Sequence, residues 1–189
     1  MTVTRKLHIG GTVRAAGWEV LNITAGPHVD HVGNANDLSR FGDGSFAAVY
    51  ASHTLEHFDY AGELEKTLKE WARVLVPSGS LHVSVPDLET LAKLLLVKED
   101  LNMDERFHVM RMLFGGHIDA HDYHLVGLNE EFLAYFLART GFAEPHRVPS
   151  FGLFQDTSEL RFKGIPISLN VVATKSASAQ VQSDRGIRS

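Results

Sequence analysis

FAAVYASHTLEHF, residues Phe46 to Phe58, is the stretch whose reading decides this chain. Ala47 to Ala51 form a short apolar run that stops at Ser52-His53, and the residues beyond add an acid, Glu56, and a second imidazole, His57. An apolar strand that hands over abruptly to polar side chains is how open α/β sheets deliver chemistry at their carboxyl edge. The same residues also spell His53-x-x-Glu56-His57, two imidazoles and a carboxylate in an order that suits zinc. The first reading predicts a strand ending at a pocket. The second predicts a helix whose face holds a metal.

The flanks favour the strand. Lys6 to Ile9 reads as a strand closed by Gly10-Gly11, Trp18 to Ile23 alternates as a second, and Val29 to Val32 is a third. The connection from Ile9 to Trp18 is too short for a crossover through a long helix. Phe41-Gly42-Asp43-Gly44-Ser45 is a turn cluster leading into the Phe46 strand. Beyond it, Gly62 to Leu75 predicts a helix, with Leu64, Leu68, Trp71, Ala72 and Leu75 on one face and Glu63, Glu65, Lys66, Lys69 and Glu70 on the other. Pro77-Ser78-Gly79 stops it. Leu81 to Val85 alternates as a strand, and helices are expected over Leu88–Val97 and Asp104–Phe114. Asp87 stands where it either meets a ligand or caps the first of these. Asn129 caps a helix over Glu130–Arg139 that ends at Gly141. Pro145–Phe151 and Ile167–Thr174 close the pattern as strands. Trp71, Phe132, Tyr135 and Phe136 fall on apolar helical stripes and are expected in the core. The sum is an α/β chain: a three-layer sandwich with a Rossmann-like, mostly parallel sheet, an antiparallel C-terminal edge and a truncated first half.

With 189 residues, 44% of them hydrophobic, the chain can build one full core. Residues 1–174 are expected to form one domain, and 175–189, KSASAQVQSDRGIRS with almost no large apolar residue, a disordered tail. No run approaches the ~20 apolar residues of a membrane span. No apolar stretch follows the basic residues of MTVTRKLHIGG, so no signal peptide is read and a cytoplasmic protein is expected. The formal net charge of −5, with both signs interspersed, argues against a nucleic-acid partner, and no membrane partner is expected. The chain has no cysteine, so thiolate metal sites and disulfides are excluded.

Taken in order, LHIGG, the strand after Gly17-Trp18, VGNANDL, FAAVYASHTLEHF, EWARVLVPSGSLHVSVPDLE, GGHIDAHDYHLVG and ARTGF resemble the class I S-adenosylmethionine-dependent methyltransferases. The likeness is greatest to small predicted bacterial members with a shortened first half, and it covers residues 6 to 174. SHTLEH followed by RVLVPSG is its most specific part.

The resemblance implies S-adenosylmethionine as cofactor and a methyl acceptor that is a small molecule or glycan, through a hydroxyl or, less favoured, an amine. It assigns Gly10, Gly11, Asn22, Asn34, Ala35, Ser52 and His53 to cofactor binding, with His53 also beside the reacting centre. Gly10-Gly11-Thr12 stands where the family has Gly-Cys-Gly, Asn22 where it has a ribose-binding acid, and Gly33-Asn34-Ala35 where it has Gly-Asp-Ala. Charge-assisted hydrogen bonds are roughly twice as strong as neutral ones, so weaker cofactor binding is expected unless Glu19 or Asp37 substitutes.

The loop from Gly115 to Gly127 carries His117, Asp119, His121, Asp122 and His124, and reads as a lid with an imidazole base. His117 and His124 are the catalytic candidates there, beside His53. Glu56 and His57 are expected to hold the strand–helix junction, by capping or by pairing with Arg73. No metal is expected. Two other functions stay open: a methyltransferase-like binding module without turnover, and a metal-dependent hydrolase using His53, Glu56 and His57. A late edge strand also offers a possible homodimer contact.

Overall fold

A computed structural model describes residues 3–177; within the expected tail, 178–189 lie outside the described residues. Seven strands form the main sheet: β1 (Lys6–Ile9), β2 (Trp18–Asn22), β3 (His31–Val32), β4 (Phe46–Ser52), β5 (Leu75–Pro86), β6 (Phe142–Arg147) and β9 (Ser168–Lys175), in the order β3-β2-β1-β4-β5-β9-β6. The first five run parallel, and β9 pairs antiparallel with both β5 and β6. β7 (Arg161–Phe162) and β8 (Ile165–Pro166) make a separate small hairpin. The mostly parallel sheet with an antiparallel C-terminal edge is the architecture expected from the sequence. The shortened first half is visible too, because among the described residues no helix precedes β4.

Strand register sorts the side chains into two unlike faces. His8 is level with Tyr50, Tyr50 with His82, Ser52 with Ser84, and Ser84 with Asn170. The alternate residues, Leu7, Ile9, Val49, Ala51, Leu81, Val83, Val85, Leu169, Val171 and Ala173, are all buried and apolar. Helix α1 (Glu63–Val74) covers that apolar face with Leu64, Leu68, Trp71 and Ala72, and α4 (Glu130–Arg139) adds Leu133 and Leu137. The polar face is covered by irregular chain between β6 and β7. Phe154 packs 4.1 Å from His8 and 4.6 Å from Tyr50, and Phe151 lies against Tyr50 and His82. The Tyr50 hydroxyl donates to Asp156 at 2.7 Å, and Asn170 donates to the Ser158 carbonyl at 2.9 Å.

Helix ends follow the sequence signals. Asp87, 2% exposed, caps α2 (Leu88–Leu96) by accepting from the Glu89 and Thr90 amides, and also receives Arg147 at 2.9 Å. Capping, not ligand contact, is therefore what its carboxylate does in this structure. Asn102 and Glu105 form a capping box at α3 (Met103–Phe114), and Asn129 accepts from the Phe132 amide to start α4. The end of α1 has a cap the sequence did not announce: Lys175 reaches the carbonyl of Leu75 at 2.6 Å, so this residue belongs to the last strand and to the helix it closes. Phe132 and Tyr135 correct an expectation. Each is 47% exposed, because α4 turns only a narrow stripe inward.

The polar face carries a pH liability. His8 is buried among Phe154, Tyr50 and the backbone of Gly11, and burial holds its pKa down at about 4. A folded-state pKa below the unfolded value means that the unfolded chain binds the extra proton first. This contribution to stability is present above the ordinary histidine range and is lost as pH falls from about 6.5 toward 4. Urea denaturation across that window should show His8→Phe losing about 3 kcal/mol less than the parent. Equal losses would show that His8 is not the responsible ring.

Candidate active site

The order β3-β2-β1-β4-β5 reverses direction between β1 and β4, and open α/β sheets bind ligands at the carboxyl ends beside such a reversal. A cavity of about 510 Å³ lies there. Gly10 follows β1, Asn22 ends β2, Asn34 and Ala35 follow β3, and His53 and Thr54 follow β4; all line it. Leu21, Ile23, Phe58, Tyr123 and Leu125 supply apolar wall, and His57, Glu63 and His121 supply further polar groups.

Each floor residue is held by local geometry. Gly10 has φ +75, and a Cβ there would stand 2.7 Å from the Thr54 hydroxyl, so the β1 turn and the β4 turn meet only because this residue is glycine. A Cβ on Gly11 would meet the His8 ring at 2.6 Å, so Gly11 faces His8 and does not line the cavity. Asn22 differs from a weakened acid. Its amide nitrogen donates to the carbonyls of Gly10 at 3.2 Å and Gly11 at 2.9 Å, while its oxygen accepts from the Thr24 amide at 2.9 Å. A carboxylate, which only accepts, could not make the first two bonds. Asn34 accepts from the Asn36 amide at 3.2 Å and keeps its own NH2 without a bond among the described residues.

Neither of the expected substitute acids lines the cavity. Glu19 is held by Arg5 at 2.6 Å and His31 at 2.8 Å, with the Arg5 hydrogen bond as the main cause of a pKa near 2. Asp37 accepts from the Ser39 amide at 3.1 Å. The acid in the cavity wall is Glu63, in the first turn of α1, where Asn36 donates to it at 2.8 Å. Sequence periodicity had placed it on the outer face of that helix.

The polar end is built on a single 3-10 turn, Leu55–His57, not on an α-helix, so His53, Glu56 and His57 do not share a helical face. His53 has φ +48, an uncommon conformation for a residue with a side chain. Ser168 spends its hydroxyl proton on the Thr157 carbonyl at 2.8 Å, so it accepts from His53 Nε2 at 2.9 Å, and the His53 lone pair is on Nδ1. That nitrogen lies 3.5 Å from Glu56. Burial pushes the Glu56 carboxyl up to about 8 and, with the neighbouring His124 and His57 opposing its charge, holds His53 down at about 4. At neutral pH the two groups are therefore uncharged despite standing at ion-pair distance. Arg73 takes no part: it binds Glu70, Asp43 and the carbonyls of Phe41 and Leu38.

The Gly115–Gly127 loop is tied down. Leu125 donates to the Glu56 carbonyl at 2.7 Å, and the Tyr123 carbonyl receives His57 Nδ1 at 3.1 Å. These bonds draw His124 to 4.0 Å from the Glu56 carboxyl, behind the cavity wall. His117 stacks on Tyr123 at 4.1 Å and bonds the Phe114 carbonyl, also outside the lining. Ser52 is likewise outside it, with its hydroxyl on Thr157 at 2.9 Å. Thr54 and Tyr123, which the sequence did not single out, are inside.

A family model described as a methyltransferase domain matches residues 18–83, from β2 through the middle of β5. That match takes in about a third of the chain, which over those residues resembles the methyltransferase domain family. The fold is shared with distant solved structures. A S-adenosylmethionine-dependent methyltransferase from Methanosarcina mazei is 16% identical with TM-score 0.56, over 94% of this chain and 95% of that one. The Burkholderia thailandensis 1,6-didemethyltoxoflavin-N1-methyltransferase, solved with that substrate and S-adenosylhomocysteine, is 15% identical with TM-score 0.55, over 90% and 71%. The CurJ carbon methyltransferase is 16% identical with TM-score 0.54 over 93% of this chain, which spans only 50% of its length. A search of curated proteins finds no significant match. Among the described residues no helix is long and apolar enough to cross a membrane.

The amide of Asn22 yields a prediction that separates it from a failed acid. Asn22→Asp sets a carboxylate against two carbonyls and should lower stability by about 1–3 kcal/mol in urea denaturation. Unchanged stability would mean that the bonds to Gly10 and Gly11 do not hold the loop.

Proposed function

We propose that this chain transfers a methyl group from S-adenosylmethionine to a hydroxyl of a small-molecule or glycan acceptor. What carries the reading is the cavity's place, across the carboxyl ends of four parallel strands at the point where strand order reverses. Its volume of about 510 Å³ suits a ligand of nucleoside size. The residues present fit that cofactor. The missing Cβ of Gly10 leaves the backbone open to close approach, and Leu21, Ile23 and Ala35 offer apolar wall to a flat base. The free NH2 of Asn34 is a donor suited to a ring nitrogen. The Glu63 carboxylate can accept from hydroxyl or ammonium groups, the part the missing ribose-binding acid would have played. Bound there, S-adenosylmethionine supplies a methyl group on a sulfonium, open to in-line displacement.

The acceptor's place is then the other end, at His53, Thr54, His57 and His121. An alcohol must shed a proton as it attacks, and imidazoles are the side chains suited to receive one near neutral pH. His57 Nδ1–H donates a hydrogen bond to the Tyr123 carbonyl, which leaves the lone pair on Nε2. His53 is in the same wall, but its lone pair is turned to Glu56, so it serves to shape the pocket. His117 and His124 stand outside the lining, which argues against contact with the acceptor.

One observation favours a second reading, a binding module without turnover: no carboxylate stands at Asn22 or Asn34, and the Asn22 donors are already spent. Calorimetry with S-adenosylmethionine and S-adenosylhomocysteine addresses both. Saturable binding of each is expected, weakened about tenfold or more by Gly10→Ala, a loss of roughly 1.4 kcal/mol. No heat at millimolar ligand would sink the transferase reading. Binding without turnover over a panel of hydroxyl and amine acceptors would favour the module.

A further inference from the structure

Glu56 is 1% exposed, and neither of its carboxyl oxygens has a hydrogen-bond partner. Buried polar groups are nearly always satisfied, so an acid left bare asks for an explanation. Around it stand three imidazoles, those of His53, His57 and His124. One ligand atom each from Glu56, His57 and His124 lie within 4.8 Å of one another, and the rings of His57 and His124 are 5.1 Å apart. We propose that Glu56, His57 and His124 bind a divalent transition metal ion of the zinc class.

Three features point to a metal in place of a plain polar cluster. First, the donor set is two imidazoles and one carboxylate, which zinc accepts with one position left open. Second, the His57 ring is already oriented from behind. Its Nδ1 donates a hydrogen bond to the Tyr123 carbonyl at 3.1 Å, and the tied loop holds His124 with its Nε2 4.0 Å from Glu56. Outer hydrogen bonds of this kind fix the tautomer of metal-binding histidines. Third, no hydrogen-bond partner is bonded to the Glu56 carboxyl, so an ion there would displace none. A tetrahedral ion with bonds of about 2.0–2.1 Å sets its ligands roughly 3.4 Å apart, so the trio closes inward by about an ångström. His53, whose Nδ1 is 3.5 Å from Glu56, faces the same carboxyl but keeps its other nitrogen on Ser168.

The three ligands differ from the residues that the H-x-x-E-H order nominates. The backbone turn removes His53 from the set, and the tied loop brings His124 in its place, 67 positions after His57 in the chain. His57 also lines the cavity, so an ion here stands in its wall. With its Nε2 on the ion, His57 would no longer receive the acceptor's proton; the ion's open position would instead meet the acceptor oxygen and favour the oxyanion, a consequence that rests on the methyl-transfer reading. The metal site itself does not.

Chelator-treated full-length protein should take up one equivalent of Zn2+ by metal analysis after dialysis. Zn2+ should raise its thermal midpoint, and Co2+ should give the strong visible bands of a four-coordinate ion. Glu56→Gln, nearly identical in shape, and His124→Ala should each weaken Zn2+ binding by roughly 100-fold or more and abolish the Co2+ bands, with far-UV circular dichroism unchanged. Substoichiometric zinc in the parent, or full retention of zinc and of the Co2+ spectrum in both variants, would overturn the proposal. Should a variant fail to fold, the parent's stoichiometry and Co2+ spectrum still decide. S-adenosylhomocysteine binding should persist in metal-free protein, so the metal site and the methyl-transfer reading fail separately.

Discussion

The sheet has one apolar face and one polar face, and the rest of the molecule follows from that inequality. Leu7, Ile9, Val49, Ala51, Leu81, Val83 and Val85 on one side must be taken out of water, and α1 and α4 supply matching stripes. A fully buried parallel sheet would show such residues on both sides. Here the opposite side carries His8, Tyr50, Ser52, His82, Ser84 and Asn170, which a helix with an apolar stripe would leave without partners. A coil segment can meet them with carbonyls, hydroxyls and a carboxylate, and that is what covers them: Asp156, Thr157, Ser158 and two phenylalanines. The short crossovers of the first half and the polar second face are two aspects of one design.

The same alternation decides what reaches the cavity. Ser52 has the parity of Tyr50, so its hydroxyl goes to Thr157 in the coil layer, and the next residue, His53, is swung to the cavity by its positive φ. Had β4 continued with extended geometry, the imidazole would have pointed into the face already filled by α1 and α4. The left-handed turn and the Ser168 bond hold it instead at the end of the sheet. Gly10 answers it from β1, since no side chain fits between that turn and Thr54.

Much of this was legible in the sequence and some was not, for definable reasons. The Phe46–Ser52 strand, the α1 stripe and the Asn129 cap are local: each depends on residues within a few positions of one another, where period and capping chemistry rule. The sites for Gly10, Asn22, Asn34, Ala35 and His53 followed from resemblance, and the structure places all five around one cavity. Glu63 was hidden because the first turn of a helix has no settled inside or outside until its partners are known. Asn22 was misleading in another way. Compared with an acid it looks like a lost charge, yet its NH2 closes the loop through Gly10 and Gly11, a role no acid can play. His124 was assigned to acceptor chemistry from its place at the end of a long histidine-rich loop, and its real neighbour, Glu56, is distant in the chain. Phe132 and Tyr135 show the limit of stripe counting, since a helix of ten residues on a sheet edge buries fewer of its apolar positions than its period allows.

Glu56 remains the residue on which the chemistry of the acceptor end turns. Its backbone carbonyl is used twice, by the amides of Leu125 and Val126, so the main chain here is committed to fixing the histidine loop. Its side chain is committed to nothing. A fold selected only for packing would place leucine at such a position, because an unpaired buried carboxyl costs stability that an apolar side chain of similar volume does not. The cost is tolerable if the group is neutral, and burial does push its pKa up to about 8. Neutrality alone does not account for three imidazoles gathered around it, with His57 tied from behind by the Tyr123 carbonyl and His53 by Ser168. Imidazoles gathered on a bare acid suit a shared cation better than a proton relay, since a relay needs hydrogen-bond contact and none of these nitrogens is closer to it than 3.5 Å.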